Sequence, residues 1–349
     1  MFDGKVILIT GGTGSLGKKL TSLILENYSP RKLIIFSRDE VKQFHMAQKW
    51  SVEKYPCMRY FLGDVRDKER LTHAFQEVDY VIHTAALKQV PAAEYNPVEF
   101  IRTNVMGAMN VIDAALATNV QRVVALSTDK ACNPVNLYGA TKLCSDKLFT
   151  AANSIYSSQQ KVFSIVRYGN VAGSRGSVIP YFRAQTSRGV LPITDTRMTR
   201  FIITLSQAAR FVLNVLRSAH GGEIFVPKIP SLKVIDLATA MAPECRQVIV
   251  GIRPGEKIHE VMIGADDSRN VFDTETHYIL LPQHLFQKRL ELNMYQNARR
   301  CADDFEYNSG TNPRFLGVED IRALLPQIEP ALRVPQEPAW QEAPASPYE

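Results

Sequence analysis

The feature that most constrains this chain is the order of three signals at its start. An apolar β-branched run, KVILIT (5–10), leads without a spacer into Gly11-Gly12-Thr13-Gly14-Ser15-Leu16-Gly17, and a helical pattern opens at once over 15–27. Glycines there let the backbone turn tightly and approach a pyrophosphate, while the helix N-terminus supplies amide donors and a favourable dipole. A glycine-rich turn alone is a weak signal. Placed between a strand and a helix, it indicates a nucleotide site.

The same alternation continues. KLIIFS (32–37), RYFLGD (59–64), DYVIHTA (79–85), RVVALST (122–128) and VFSIVRYG (162–169) read as strands, with helices predicted at 68–76, 97–118 and 137–153. Strands this apolar, separated by helix-length segments, belong to a parallel sheet buried on both faces. The fold class is therefore α/β, a Rossmann-like doubly wound parallel sheet. After residue 170, glycine-, arginine- and serine-rich loops such as GSRGSV (173–178) mix with short strands and with helices near 206–219, 234–241 and 318–325. The expected organisation is a nucleotide-binding domain over 1–170, with elements from about 195–225 returning to it, and a smaller C-terminal substrate-binding lobe over 171–325. Residues 326–349 carry six prolines and no apolar period, which predicts a frayed tail.

Composition removes several alternatives. With 45% hydrophobic and 22% charged residues among 349, the chain is an ordinary globular protein. Its net charge of +6 is spread along the sequence among acids, which disfavours nucleic acid and suits an anionic small molecule. Five cysteines, odd in number and without a C-x-x-C pair, indicate neither a disulfide framework nor a metal site. The first residues lack the pattern of a signal peptide, and no apolar run approaches the ~18 residues of a membrane span. A soluble protein of a reducing cytoplasm is expected.

The spacing T-G-x-x-G-x-x-G resembles the short-chain dehydrogenase variant of the dinucleotide fingerprint, with Gly11, Thr13, Gly14, Ser15, Leu16 and Gly17 around the pyrophosphate. Where an acid would hold an NAD ribose at the end of the second strand stand Ser37 and Arg38, a hydroxyl and a guanidinium suited to the 2′-phosphate of NADP. The alternative gives the ribose to Asp39; Lys42 completes this group. By the same resemblance Asp64 and Val65 meet adenine, Ala85 and Ala86 the nicotinamide ribose, and Asn104 matches a buried asparagine.

Two Tyr-x-x-x-Lys pairs occur. Tyr28/Lys32 encloses Pro30 and cannot present one helical face, whereas Tyr138/Lys142 lies in the helical stretch YGATKLCSDKLF. A lysine beside a phenol lowers its pKa from ~10 and prepares it to act as a base. Ahead of it the fifth strand ends in Ser127-Thr128-Asp129-Lys130; a carboxyl and an amine together imply more proton transfers than a hydride shift needs.

The segments LSTDKACNPVNLYGATKLCSDKLF, FSRDEVKQ, TAALKQVPAAEYNP, RYGNVAGSRGSVIP and GIRPGEKIHEVMI resemble those of the UDP-N-acetylglucosamine 5-inverting 4,6-dehydratases of flagellin glycosylation and capsule synthesis, nearest the pseudaminic-acid branch, over residues 3 to 325. The resemblance implies that Tyr138 takes the C4 hydroxyl proton, with Lys142 holding the cofactor ribose and Thr128 among the catalytic set. Lys130 would take the C5 proton in a neutral form, its pKa lowered by desolvation and nearby positive charge, and Asp129 would protonate the leaving C6 hydroxyl. Retaining relatives carry Asp-Glu there, which makes the lysine the discriminating residue. Lys88, Asn170, Val178, Thr194, Arg200, Arg253 and Glu256 are the implied substrate contacts, with Lys88 also meeting the cofactor. The resemblance further implies a homo-oligomer packed through the 97–118 and 137–153 helices. The family usually reads KHVP and RFW where this chain has Lys88-Gln89-Val90-Pro91 and Arg200-Phe201-Ile202. A UDP-sugar 4-epimerase would share Tyr138 and Lys142 but has no use for Asp129 and Lys130; a non-catalytic NADP-binding regulatory module would be expected to lose the tyrosine and lysine.

Overall fold

Ten strands form the main sheet of the computed structural model, which describes residues 1–155, 161–174, 176–295 and 298–328. Six come from the first half of the chain: β1 (Val6–Thr10), β2 (Lys32–Ser37), β3 (Met58–Leu62), β4 (Tyr80–His83), β5 (Arg122–Thr128) and β6 (Val162–Tyr168). All pair in parallel, in the order β3-β2-β1-β4-β5-β6. Ile224–Pro227 joins parallel to β6, and His277–Leu280, Val271–Asp273 and Arg299–Arg300 extend the sheet antiparallel. The chain order reverses between β1 and β4, where the outgoing loops diverge and open a crevice at the carboxyl ends of the strands.

Period-two alternation splits the buried residues into two cores. Val6, Leu8, Ile34, Phe36, Val81 and Val123 pack with Leu71, Val111 and Phe149 on one face. Ile7, Ile9, Leu33, Ile35, Ile82 and Val124 pack with Leu20, Ile24, Val212 and Leu216 on the other. The helices that cover the faces include α1 (Ser15–Asn27), α2 (Glu40–Lys49) and α3 (Lys68–Ala74), with Gly107–Leu116, Leu137–Ile155 and Leu205–Ser218 further along.

Helix α2 is absent from the sequence reading because it has no apolar stripe: Val41 and Phe44 are exposed, while Gln43 and Met46 are buried. Its start is set instead by Asp39, whose carboxylate accepts from the Lys42 backbone N–H at 2.9 Å. The stretch read as one helix over 97–118 is three pieces, Pro97–Phe100, a π turn at Ile101–Met106 and Gly107–Leu116. In the π turn two successive residues, Thr103 and Asn104, are both buried.

A third core of Ile179, Phe182, Leu191, Ile193, Leu232 and Leu237 builds the smaller lobe. Of the proline-rich tail expected from 326, Pro326 and Gln327 close a 3-10 turn at Leu325–Gln327; residues 329–349 lie outside the described residues.

Candidate active site

A cavity of about 630 Å³ opens at the switch point. Every residue expected around the cofactor lines it: Gly11, Thr13, Gly14, Ser15, Leu16 and Gly17 from the first turn, Ser37, Arg38, Asp39 and Lys42 after β2, Asp64 and Val65 after β3, Ala85, Ala86 and Lys88 after β4, and Tyr138 and Lys142 from the Leu137–Ile155 helix. Gly11 and Gly17 are sterically required. Gly11 has φ +65°, and a Cβ there would stand 2.8 Å from the Ala85 backbone nitrogen; a Cβ on Gly17 would overlap the Gly12 carbonyl. The turn thus brings bare backbone to the cavity floor, which fits a dinucleotide pyrophosphate.

The edges of this pocket are tied together. The Thr13 and Ser37 hydroxyls share a hydrogen bond of 3.0 Å, so Ser37 is engaged with the glycine turn. Asp39 caps α2 and pairs with the Lys42 ammonium. Arg38 reaches Asp64 at 3.5 Å with its side chain about half exposed. Burial pushes the Asp64 carboxyl up, but Arg66, bonded to it at 2.8 and 3.0 Å, and Arg38 hold it below its ordinary value. The Asn104 amide donates to the Leu87 carbonyl and accepts from the Leu87 N–H, both at 2.9 Å, and donates to Thr141 at 3.1 Å. Its position is therefore structural, clamping the loop after β4 against the Tyr138 helix.

The reactive half of the cavity is formed where β5 ends. Thr128, Asp129 and Lys130 line it beside Tyr138, Lys142 and Asn170. Asp129 Oδ1 accepts from the Thr128 hydroxyl at 2.8 Å and from Lys130 Nζ at 3.1 Å, while Oδ2 is buried without a hydrogen-bond partner. Lys130 Nζ also lies 3.2 Å from Glu260 Oε1. Gly139 holds the helix against this turn: a Cβ there would overlap the Lys130 carbonyl oxygen. On the next helical turn after Lys142, Asp146 accepts from Ser127 at 2.7 Å and from Arg167 at 3.1 Å, fixing the helix to β5 and β6.

Two electrostatic expectations need correction. Burial favours a neutral Lys130, but Asp129 and Glu260 outweigh it and raise its pKa, with Arg200 opposing. The resting side chain is an ammonium, the reverse of the state expected from desolvation alone. Burial likewise raises the Tyr138 phenol to about 12, against the lowering influences of Lys130 and the Thr128 hydroxyl. Burial pushes Lys142 down against the attraction of Asp146, and pushes Lys88 down with help from Lys130. His83, hydrogen-bonded to Thr10 at 2.8 Å, is driven to about 3 by burial and then by Lys142, so it is a neutral structural link.

Val178, Thr194, Arg200, Arg253 and Glu256 do not line this cavity. Val178 begins a helix whose preceding residue, Ser177, does line it. Thr194 directly follows the strand Val190–Ile193. Arg200 turns into the lobe, donating to the Thr199 and Ile258 carbonyls at 2.7 and 3.1 Å. Arg253 and Glu256 pair with each other at 2.6 Å, on a loop tied by Gly255 O to the Asn136 side chain at 2.8 Å. Sequence reasoning missed Asp146, Gly139 and Glu260. Asp146 is visible at i+4 from Lys142, but nothing in the sequence links Glu260 to Lys130; the strand Val261–Ile263 brings it there. Among the described residues no cluster could hold a metal ion, and no helix is long and apolar enough to cross a membrane.

A family described as polysaccharide biosynthesis protein matches residues 7–282. The UDP-N-acetylglucosamine 4,6-dehydratase (inverting) of Campylobacter jejuni subsp. jejuni serotype O:2 is 54% identical over 94% of this chain and 99% of its own length. The UDP-glucose 4-epimerase of Rickettsia canadensis is 38% identical over 93% of this chain and 96% of its own. The X-ray structure of Pen from Bacillus thuringiensis superposes with a TM-score of 0.85 at 36% identity, covering 94% of this chain and 99% of that one.

Proposed function

The chain belongs to the polysaccharide biosynthesis protein family, and from that premise we propose that it is a hydro-lyase that carries out the 4,6-dehydration of UDP-N-acetylglucosamine, oxidising C4, eliminating water across C5 and C6, and inverting C5. The product is UDP-2-acetamido-2,6-dideoxy-β-L-arabino-hex-4-ulose, an intermediate for bacterial surface glycan or for pseudaminic-acid glycosylation of flagellin. The observation that carries the reading is the contact of Lys130 with Asp129, 3.1 Å apart, in the cavity that Tyr138 and Lys142 also line. Similarity at 54% identity to an inverting dehydratase supports it.

NADP is the proposed cofactor. Asp39 caps α2 and pairs with Lys42, and Arg38, half exposed and 3.5 Å from Asp64, is the cation proposed to meet a 2′-phosphate. The glycine turn, Arg38, Tyr138 and Lys142 would hold the cofactor, and when bound it would supply a reversible hydride acceptor and, in its oxidised form, positive charge to the cavity that Tyr138 lines. The remaining steps fall to side chains. Tyr138, held high by burial, loses its proton to solvent in that more positive site and takes the one on the C4 oxygen, and solvent restores a proton to Lys130 at the end of the cycle. The proton shared between Lys130 Nζ and Asp129 Oδ1 passes to Asp129, producing a neutral amine and a carboxylic acid together. The amine takes the C5 proton, acidified by the C4 ketone, and Asp129 protonates the C6 hydroxyl as it leaves. Reprotonation of C5 by Lys130 on the opposite face completes inversion.

For the substrate, Lys88 and Asn170 line the cavity, and Val178, Thr194, Arg200, Arg253 and Glu256 are proposed to reach it through rearrangement of the lobe loops. A cytoplasmic homo-oligomer is proposed as well, packed through the 97–118 face, where Val98, Ile101, Met106 and Met109 are exposed. Mass spectrometry of the product tests the activity: loss of one water supports the dehydratase, whereas an isobaric product supports the 4-epimerase, a reading favoured by the 38% identity to an epimerase.

A further inference from the structure

Glu260 is a buried acid in contact with Lys130 that the proposed mechanism leaves unused. It is 2% exposed, and its Oε2 is buried without a hydrogen-bond partner. Its backbone is fixed in both directions: its N–H donates to the Ser309 hydroxyl and its carbonyl accepts from the Ser309 N–H, each at 2.8 Å. Ser309 is in turn bonded to Thr199 Oγ1 at 2.7 Å, which contacts His259 Nδ1 at 2.8 Å. This scaffold aims Oε1 at two cations, Lys130 Nζ at 3.2 Å and Arg200 Nε at 3.7 Å. Glu260 does not line the cavity, so in this arrangement it meets the reaction through Lys130.

Two carboxylates and two cations meet here, with Glu260 shared between Lys130 and Arg200, and a buried polar atom left without a partner calls for an explanation. Here Lys130 is held between two carboxylates, each with one oxygen buried and unpartnered. We propose that Glu260 is a positioning residue for Lys130, holding its amine against Asp129 and stabilising the ammonium formed when Lys130 takes the C5 proton. The inference rests on the reading of Lys130 as the C5 base. The charged and titratable groups facing Lys130 are Asp129 on its own turn, Glu260 and Arg200 from the lobe, Lys88 after β4 and Tyr138 from the helix. Removing the Glu260 charge takes away one of the two attractions on the ammonium, so Lys130 becomes neutral at lower pH.

The test is the pH profile of solvent deuterium incorporation at C5 of UDP-N-acetylglucosamine product, followed by NMR for wild type, Glu260→Gln and Glu260→Asp. For Glu260→Gln the acid limb of kcat moves down by about one pH unit with KM within twofold of wild type. Glu260→Asp keeps the charge, so its limb stays in place while exchange slows several-fold because the carboxylate is withdrawn from Nζ. An unmoved limb in folded Glu260→Gln overturns the proposal, as does a raised KM with the profile intact. If Glu260→Gln does not fold, Glu260→Asp decides: slowed C5 exchange with normal C4 oxidation supports positioning, and equal slowing of both, or of neither, overturns it. Wild-type protein without any C5 exchange overturns the parent reading and this one with it, whereas exchange that survives Lys130→Ala overturns the base assignment on which both depend.

Discussion

At the residue scale the site is governed by burial as much as by charge. Tyr138 stands at about 12 because its phenol is buried, so its acidity must be recovered from positive charge placed around it. Replacing it with phenylalanine removes the proposed C4 base and is expected to lower kcat by about a hundred- to ten-thousand-fold, with the proposed NADP retained during purification. Steady-state kinetics and the bound-nucleotide content check both parts. Lys130→Ala is expected to leave C4 oxidation measurable while abolishing C5 exchange. His83 gives a separate pH prediction. Its pKa is about 3 in the folded protein against 6.5 ordinarily, so the unfolded chain binds more protons between those values. Stability present above pH 6.5 is therefore lost as the pH falls toward 3, with a slope of up to about 1.4 kcal/mol per unit. Urea midpoints should fall less steeply with acid in His83→Asn. Tyr138, Lys142, Asp129 and Lys130 were legible in the sequence because their spacing is local. The charge state of Lys130 was not, since it depends on Glu260, a residue far away in sequence that only the tertiary fold brings to it.

At the element scale, geometry comes from close backbone approach. Gly17 seats α1 on the first turn and Gly139 seats the Leu137–Ile155 helix on the Lys130 carbonyl. A methyl at Gly139 must push that helix away from the turn bearing Asp129 and Lys130. Gly139→Ala is expected to cost about 1–3 kcal/mol in denaturant titration and to reduce turnover far more than nucleotide affinity. The strands of the sheet could be read from their β-branched runs, and α1 from its glycine turn. Helix α2 could not, because its buried positions include a glutamine and its start depends on the Asp39 cap. Asp39→Ala should lower stability by about 1 kcal/mol through that cap, measurable by thermal or denaturant unfolding. The π turn at Ile101–Met106 was hidden within an ordinary helical pattern; what distinguishes it is the inward pair Thr103 and Asn104, the latter bonded to Leu87 and Thr141.

At the scale of the whole molecule, the sheet order β3-β2-β1-β4-β5-β6 places the glycine turn and the β5 terminus on either side of one crevice. The segments around Arg200 and Glu260, distant in sequence from β5, then bring both side chains together behind Lys130. The alternation of strands and helices made the sheet readable, but the antiparallel extension by 271–273, 277–280 and 299–300 consists of segments too short to announce their pairing. A cavity built this way serves an epimerase and a dehydratase equally until the β5 terminus is considered, and the proposed function rests on Asp129 with Lys130 to separate them. Proton NMR of the purified protein with UDP-N-acetylglucosamine in D₂O therefore bears most directly on the account. Deuterium at C5, a new C6 methyl signal and ring couplings of the L-arabino configuration beside a C4 ketone are predicted. A ketone product that keeps the original C5 configuration would contradict the role given to Lys130, and a C4 epimer without a methyl signal would contradict the dehydratase itself.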